Sequence, residues 1–185
     1  MQLLQLLLTL FTANLVFAKA LGTSTLSIAT KSKSDLIGTA LTVTVFTTLG
    51  SGIGWFVHAA LPERAAYFLP LCYVLVLAAL YVLLLLLLQA AGQRFFLRFR
   101  KYLHLSAFNC VVLGTLLLSS EVGGGWLDAM RFGLESGIGF LAACCMLKAV
   151  YPKLISPRVP ASVQGYPAIL LYIGILSMAV YTLQK

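Results

Sequence analysis

Charge is scarce in this sequence, and negative charge is the scarcest. Of 185 residues, 5 are acidic and 2 are histidines, and charged residues of both signs make up 10% of the chain. Hydrophobic residues account for 61%, a composition that disfavours a water-soluble enzyme and predicts an integral membrane protein. Because the hydrophobic runs fill nearly the whole length, we expect one membrane domain over residues 1–185 and no separate soluble domain.

Catalytic motifs are also lacking. The sequence contains no glycine-rich phosphate loop, no nucleophile–histidine–acid set and no HExxH metal motif. Its 4 cysteines form no CxxC pair and fit neither a soluble zinc spacing nor a ferredoxin spacing. All of them lie in hydrophobic runs, so we expect no structural disulfide, and we interpret Cys72, Cys144 and Cys145 as small packing residues.

Long hydrophobic runs are abundant. A bilayer core about 30 Å thick needs roughly 20 apolar residues per helix, and backbone amides in lipid must be satisfied within the helix. The runs therefore predict an all-α integral membrane fold with six transmembrane helices joined by short loops. The predicted spans are Leu3–Ile28, Leu36–Ala60, Tyr67–Ala91, Leu103–Ser119, Leu127–Tyr151 and Pro167–Leu183.

The basic residues set the expected orientation, because eight of them gather in loops one, three and five. The positive-inside rule places these loops in the cytoplasm and both chain termini outside, which explains the net charge of +8 without a nucleic-acid partner. The first run lacks the positive start of a signal peptide, so we interpret it as helix one. The eight residues are Lys31, Lys33, Arg94, Arg98, Arg100, Lys101, Lys153 and Arg158.

Short echoes divide the chain into two sets of three helices, about residues 1–91 and 103–185. Leu21-Gly22-Thr23 recurs as Leu113-Gly114-Thr115, and Ser51-Gly52-Ile53-Gly54 recurs as Ser136-Gly137-Ile138-Gly139. Because three is odd, the second set enters the membrane with opposite polarity. This predicts an inverted repeat with a site near discontinuous helices between the halves. Close helix packing is the alternative role of such small residues, and we favour it for the two Ser-Gly-Ile-Gly segments.

Two charged features within the runs have local interpretations. Lys19 either serves a site within the membrane or extends to the cytoplasmic surface. Arg131 and Glu135 are four residues apart, a spacing that suits an ion pair on one helix face. Glu135 is also a candidate for an ion path, because it lies deeper in its predicted span.

One motif stands out in the fourth run, Asn109-Cys110-Val111-Val112-Leu113-Gly114. The first run contains Asn14-Leu15-Val16-Phe17-Ala18-Lys19-Ala20-Leu21-Gly22, and Val159-Pro160-Ala161 and Gly165 precede the sixth. Together these segments resemble the six-helix membrane subunits of the Rnf and Nqr electron-transport complexes, nearest to the A-type subunit of Rnf and the E-type subunit of Nqr. The resemblance covers essentially the whole chain, at the level of a divergent member.

That resemblance implies a multi-pass subunit of the bacterial inner membrane that relays electrons across the bilayer while its complex moves Na⁺ or H⁺. It implies a 2Fe–2S cluster shared with a homologous partner of inverted topology, the E-type subunit of Rnf or the D-type subunit of Nqr, with two cysteines from each partner. Cys110 is the implied iron ligand of this chain, which would be inactive when isolated. Five residues would shape the broken helices around the cluster: Asn14, Lys19, Gly22, Asn109 and Gly114.

The chain departs from the family at the second ligand, since Ser24 stands where the family has cysteine. A serine oxygen is a harder and poorer iron ligand than a thiolate, so a serine-ligated cluster, a relocated cluster and no cluster all remain open. Ser24 lies seven residues before Lys31 and Cys110 nine after Lys101, which places both roughly 10–14 Å in from the cytoplasmic charges. Two alternative functions follow: a cluster-less scaffold of the same family and an independent inverted-repeat transporter.

Overall fold

The computed structural model describes residues 15–30, 32–121, 124–156, 160 and 162–183. Within these ranges the chain is helical and contains no strand. The helices are α1 (Leu15–Lys19), α2 (Thr23–Ala29), α3 (Lys33–Ala60), a 3-10 helix (Glu63–Phe68), α4 (Leu69–Ala91), α5 (Gln93–Ala107), α6 (Cys110–Ser119), α7 (Trp126–Leu154) and α8 (Tyr166–Leu183). The start of the first predicted span lies outside the described residues, as do Asn14, Lys31, Arg158, Val159, Ala161 and Lys185.

Three of the described helices are long and apolar enough to cross a bilayer: Asp35–Ala60, Arg64–Ala90 and Trp126–Leu154. They correspond to predicted spans two, three and five. Span four is a bent pair of helices, Phe99–Ala107 and Cys110–Ser119, at 53° to each other, and span six is the shorter apolar helix Tyr166–Thr182. The helical membrane fold is therefore confirmed with three spans, or four if the bent pair is one span, and the count of six stays a prediction.

Helices α3 and α7 form the most extensive contact of the described bundle. A Cβ on Gly137 would lie 2.6 Å from the Thr44 Cα, and a Cβ on Gly133 would collide with the Thr47 carbonyl. Residues later in α7 meet residues earlier in α3, so the two helices run antiparallel. Since small residues let helix backbones approach this closely, the Ser136-Gly137 segment packs helices together, as predicted.

The predicted third loop is wrong, because the basic run 94–101 lies within α5, which begins at Gln93. Basic residues recur there every three to four residues, and so do Phe96, Phe99 and Leu103, so the helix has one apolar face that can pack and one polar face. Gly92 has a φ of +127°, a conformation that favours glycine, and it separates α4 from α5. The two helices then pack together, with the Tyr81 hydroxyl oxygen 2.6 Å from His104 Nδ1.

One end of the bundle, here called the basic end, is the end at which α3 begins. Lys101 Nζ lies 3.2 Å from Asp35 Oδ1 in the first turn of α3. Lys148 Nζ, on the last part of α7, donates to the Thr30 carbonyl oxygen 2.8 Å away, at the end of α2. These contacts bring the segments of predicted loops one, three and five to the same end of the bundle.

The opposite end carries an aromatic cluster and a surface ion pair. The Phe56 and Trp126 ring centroids are 6.2 Å apart. Arg131 Nη1 lies 3.8 Å from Asp128 Oδ1, so the predicted pairing of Arg131 with Glu135 is wrong. Asp128 sits in the first turn of α7 and accepts from the Gly125 amide at 3.0 Å. A carboxylate is stabilised at a helix N-terminus. Asp128 also lies one turn before Arg131, within reach of its guanidinium.

Candidate site between two broken helices

The first helical segment is interrupted between α1 and α2. Ala20, with φ +53°, and Gly22, with φ +75°, adopt left-handed backbone conformations that residues with side chains rarely adopt. A Cβ on Gly22 would collide with the Val111 side chain and lie 3.1 Å from Asn109 Oδ1. Backbone conformation and space therefore both require glycine at position 22, and this interruption lies directly against the start of α6.

The second interruption separates α5 from α6. Asn109 is extended, with φ −84° and ψ 131°, and its Oδ1 accepts a hydrogen bond from the Val111 amide at 3.0 Å. An asparagine at this N-cap position satisfies one of the amides that a helix start leaves unpaired. Asn109 therefore begins a new helix at a 53° bend and places Cys110 in its first turn.

The two interruptions meet at Cys110. The Gly22 amide donates a hydrogen bond to Cys110 Sγ, with 2.9 Å between nitrogen and sulfur. A Cβ on Gly114 would lie 2.6 Å from Leu21 Cδ1, so the absence of a side chain at position 114 lets the first break approach α6. The structure thus brings together Gly22, Asn109, Cys110 and Gly114, four of the residues predicted to form one site.

The Cys110 side chain is exposed on the outside of this junction. Val111 and Phe140 are completely buried on the inner side. The thiol therefore has buried apolar side chains on one side and an open cleft on the other. The cleft has a volume of about 210 Å³. Its other lining residues are Val74, Leu77, Ala107, Phe108, Asn109 and Leu113.

Asn109 carries a polar atom that has no partner among the described residues. The residue is 3% exposed, and its Nδ2 makes no hydrogen bond. A buried amide donor without an acceptor is destabilising, so the junction retains one unused donor beside Cys110. An acceptor from outside the chain that reached the cleft would satisfy this donor.

Lys19 and Ser24 flank the first break, and both are exposed. Lys19 is the last residue of α1, where a positive charge complements the carbonyl end of the helix. Lys19 therefore lies at the interruption itself, five residues before Ser24. Ser24 is the second residue of α2, and the neighbouring Thr25 is buried, so the helix directs Ser24 outward. Ser24 and Cys110 therefore each lie in the first turn after a break.

Among the described residues, no three histidine, cysteine or acidic side chains gather closely enough to hold a metal ion. The described junction offers one exposed thiol at Cys110 and one exposed hydroxyl at Ser24. Cys144 is buried in the bundle, as its interpretation as a packing residue predicts. An iron group at Cys110 would therefore need further ligands from another chain.

Two features of the site were not predicted from the sequence. The hydrogen bond from the Gly22 amide to the Cys110 sulfur could not be predicted from the local sequence, because it joins two segments that are 88 residues apart. The bond from Lys148 to the Thr30 carbonyl is likewise set by the packing of α7. The cap at Asn109 did have a signal, since asparagine within an apolar run favours a helix start.

Discontinuous helices that meet inside a membrane bundle characterise proteins that hold ions or other groups at helix ends. A family model described as "Rnf-Nqr subunit, membrane protein" matches residues 3–185. The chain therefore belongs to the Rnf-Nqr family of membrane subunits.

Curated relatives cover nearly the same length. The chain is 28% identical over 179 residues to the A-type subunit of the ion-translocating oxidoreductase complex of Azoarcus sp. (strain BH72), covering 96% of this chain and 93% of the relative. It is 25% identical to the A-type subunit of the Na(+)-translocating ferredoxin:NAD(+) oxidoreductase complex of Acetobacterium woodii, covering 92% and 90%. It is 27% identical to the E-type subunit of the Na(+)-translocating NADH-quinone reductase of Chlamydia pneumoniae, covering 96% and 75%.

Proposed function

We propose that this chain is a membrane subunit of an ion-translocating electron-transport complex of the Rnf/Nqr type. The family match over nearly the whole chain supports this function, as do relatives that are subunits of ion-translocating oxidoreductase complexes. In such a complex the subunit relays electrons across the bilayer, and the complex couples their flow to the movement of Na⁺ or H⁺. The chain is not an autonomous enzyme, and its site is completed by another subunit.

The junction at Cys110 is the single observation that carries the redox assignment. Two helix interruptions converge on an exposed sulfur that already accepts a hydrogen bond from the Gly22 amide. Hydrogen bonds to ligand sulfurs and the burial around them adjust the potential of an iron–sulfur centre. Cys145 is also exposed, so the hydrogen bond from the Gly22 amide and the two converging helix interruptions, rather than exposure, distinguish Cys110.

The proposed cofactor is a 2Fe–2S cluster that Cys110 shares with a homologous membrane subunit of inverted topology, the E type in Rnf or the D type in Nqr. Such a cluster, when bound, accepts and releases one electron at a time. Cys110 fits the role of a thiolate ligand, because it is exposed and lies in the first turn of α6. Ser24 supplies a hydroxyl at the corresponding place of α2, so this chain provides one thiolate and at most one oxygen ligand.

The other residues of the junction hold Cys110 in place. Asn109 fixes the start of α6, and the Gly22 amide orients the sulfur. Gly114 allows Leu21 to pack against α6, which keeps the two broken helices together. Buried Val111 excludes water from the inner side of the junction. Lys19 lies exposed at the first interruption, and Asn14 keeps its predicted supporting role.

We further propose that the two halves, about residues 1–91 and 103–185, form an inverted repeat of six spans in the bacterial inner membrane. The antiparallel contact of α3 and α7 supports this, because an inverted repeat requires equivalent helices to run in opposite directions. Thr47 precedes Ser51 by four residues and Gly133 precedes Ser136 by three, so the two helices meet at nearly equivalent points. Each half also contains an interrupted helix.

Replacement of Cys110 tests the redox function. In the purified complex, we expect Cys110→Ala to remove the cluster's electron paramagnetic resonance signal and about two irons and two acid-labile sulfides per complex, the content of one such cluster. Assembly should be retained, because the exposed thiol contributes little packing. Cys145→Ala, which removes an exposed cysteine from α7, is the matched control and should leave iron and signal unchanged. Equal iron content in the two variants would exclude Cys110 as a ligand.

A cluster-less scaffold is the second candidate function, and Ser24 is the observation that favours it. If the native chain holds a cluster with a serine ligand, Ser24→Cys should shift its resonance spectrum and midpoint potential. If the chain is a scaffold, the native complex should contain no iron at this junction. The independent transporter is disfavoured by the family match.

A further inference from the structure

A groove of about 260 Å³ opens between α3, α4 and α5, nearer the basic end than the Cys110 cleft. Its polar lining residue, Thr42, donates its hydroxyl to the Gly38 carbonyl, so the groove wall is apolar. Leu88 lies four residues before Gly92, so the groove begins about 6 Å from the turn between α4 and α5. The lining residues are Leu41, Thr42, Val45, Leu84, Leu88, Phe99 and Leu103.

A cation is held where this groove meets the basic end. Phe96 extends the face formed by Phe99 and Leu103 by one turn, since the three residues have i, i+3, i+7 spacing. The Arg100 guanidinium carbon lies 5.7 Å from the Phe96 ring centre, and Arg100 Nε donates to His104 Nε2 at 3.3 Å. These contacts hold the guanidinium over Phe96, three residues before the groove-lining Phe99. The ion pairs among the described residues do not include Arg100.

We propose that this groove is a binding site for one anionic phospholipid, with an acyl chain against the apolar wall and the phosphate on Arg100. Arginine forms strong, charge-assisted hydrogen bonds with phosphate oxygens. The α5 segment carries four basic residues and no acidic residue, so its field attracts an anionic headgroup. An apolar helix of another subunit would cover the same wall but would leave the guanidinium without a counter-charge.

This site is independent of the proposed redox function. It lies about 10 Å further along α4, since Leu77 lines the Cys110 cleft and Leu84 lines the groove seven residues later. Loss of the lipid should therefore leave the iron content of the complex unchanged. Loss of Cys110 should likewise leave lipid binding unchanged, so the two proposals fail separately.

Titration of the purified complex with dioleoyl phosphatidylglycerol in detergent, read by native mass spectrometry, tests the proposal. We expect one tightly bound phosphatidylglycerol per copy, and no bound dioleoyl phosphatidylcholine at the same concentration. A basic residue near an anionic lipid contributes about fivefold in affinity, so Arg100→Gln should weaken binding about fivefold. Val45→Trp, which fills the groove, should abolish binding while leaving Arg100 in place.

Two matched variants separate the site from general surface effects. Lys153→Gln removes an exposed charge from the same end, in the last turn of α7, and should leave binding within about twofold of the native value, since it lies outside the groove. Leu171→Trp adds the same side chain to the exposed face of α8 and should also bind normally. Equal weakening by Arg100→Gln and Lys153→Gln, or unchanged binding in Val45→Trp, would overturn the proposal, and so would a cross-link from Val45→Cys to another subunit.

Discussion

At Gly22, the absence of a side chain holds two separate helix interruptions in contact. The residue needs a left-handed backbone, and its Cα faces Val111 too closely for a Cβ. The same position donates its amide to Cys110 Sγ. One residue therefore sets the bend of the first helix, the approach of α6 and the hydrogen bonding of the sulfur. Any residue with a side chain would disturb all three.

Gly22→Ala should destabilise the fold through two additive effects. The left-handed conformation costs alanine about 1–2 kcal/mol, and overpacking against Val111 costs about 1–3 kcal/mol more. The free energy of unfolding, measured in bicelles by steric trapping, should fall by the sum of the two. Gly165→Ala is the control, because Gly165 has a φ of +90° but nothing lies within 4 Å of the place a Cβ would take. It should show the backbone cost alone, and equal losses in both variants would contradict the contact with Val111.

The residues that form the site could be predicted from the sequence, but the contacts between them could not. Cys110 was found because its neighbours form a motif, and Gly22 and Gly114 because they repeat in similar surroundings. The hydrogen bond from the Gly22 amide to Cys110 could not be predicted, since it joins backbone and side chain across 88 residues. Whether Ser24 binds iron depends on the affinity of its hydroxyl oxygen for the metal, a chemical property that does not follow from the exposed position of the side chain.

At the scale of helices, hydropathy predicted the long apolar elements well and failed where charge and helix coincide. Spans two, three and five match α3, α4 and α7 because a continuous apolar run has few alternatives to a helix in lipid. The first turns of α5 were assigned to a loop because four basic residues lie close together in them. Three of them, Arg94, Arg98 and Lys101, recur every three to four residues, which indicates an amphipathic helix, and this helix packs against α4.

The contact between α3 and α7 should be intolerant of any side chain at its centre. Gly137→Val would bring a Cβ to 2.6 Å from the Thr44 Cα, and because a backbone cannot move aside as a side chain can, the helices must separate. We expect a loss of about 3 kcal/mol and a sharp drop in assembled complex after purification. Gly174→Val places the same side chain on α8, where nothing lies within 4 Å, and should assemble normally. Normal assembly of both variants would mean that α3 and α7 pack differently.

At the scale of the whole molecule, the packing of the helices brings the basic segments of the sequence to one end of the bundle. The contacts of Lys101 with Asp35 and of Lys148 with the Thr30 carbonyl collect three basic segments at one end. Trp126 and Phe56 lie at the other end, where aromatic residues favour a membrane interface. The two ends of the bundle therefore differ in charge, and the positive-inside rule predicts that the basic end lies in the cytoplasm.

Labelling from one side of the membrane tests this polarity. Lys153→Cys places a thiol at the basic end, and Arg64→Cys and Arg131→Cys place thiols at the opposite end. All three native side chains are exposed. In intact cells a membrane-impermeant maleimide should label the latter two and should label Lys153→Cys only after permeabilisation, because the positive-inside rule predicts a cytoplasmic basic end. The parent chain gives the background from its 4 native cysteines. If Lys153→Cys reacted in intact cells while Arg64→Cys did not, the orientation would be reversed, and the inverted partner would have to be reversed with it.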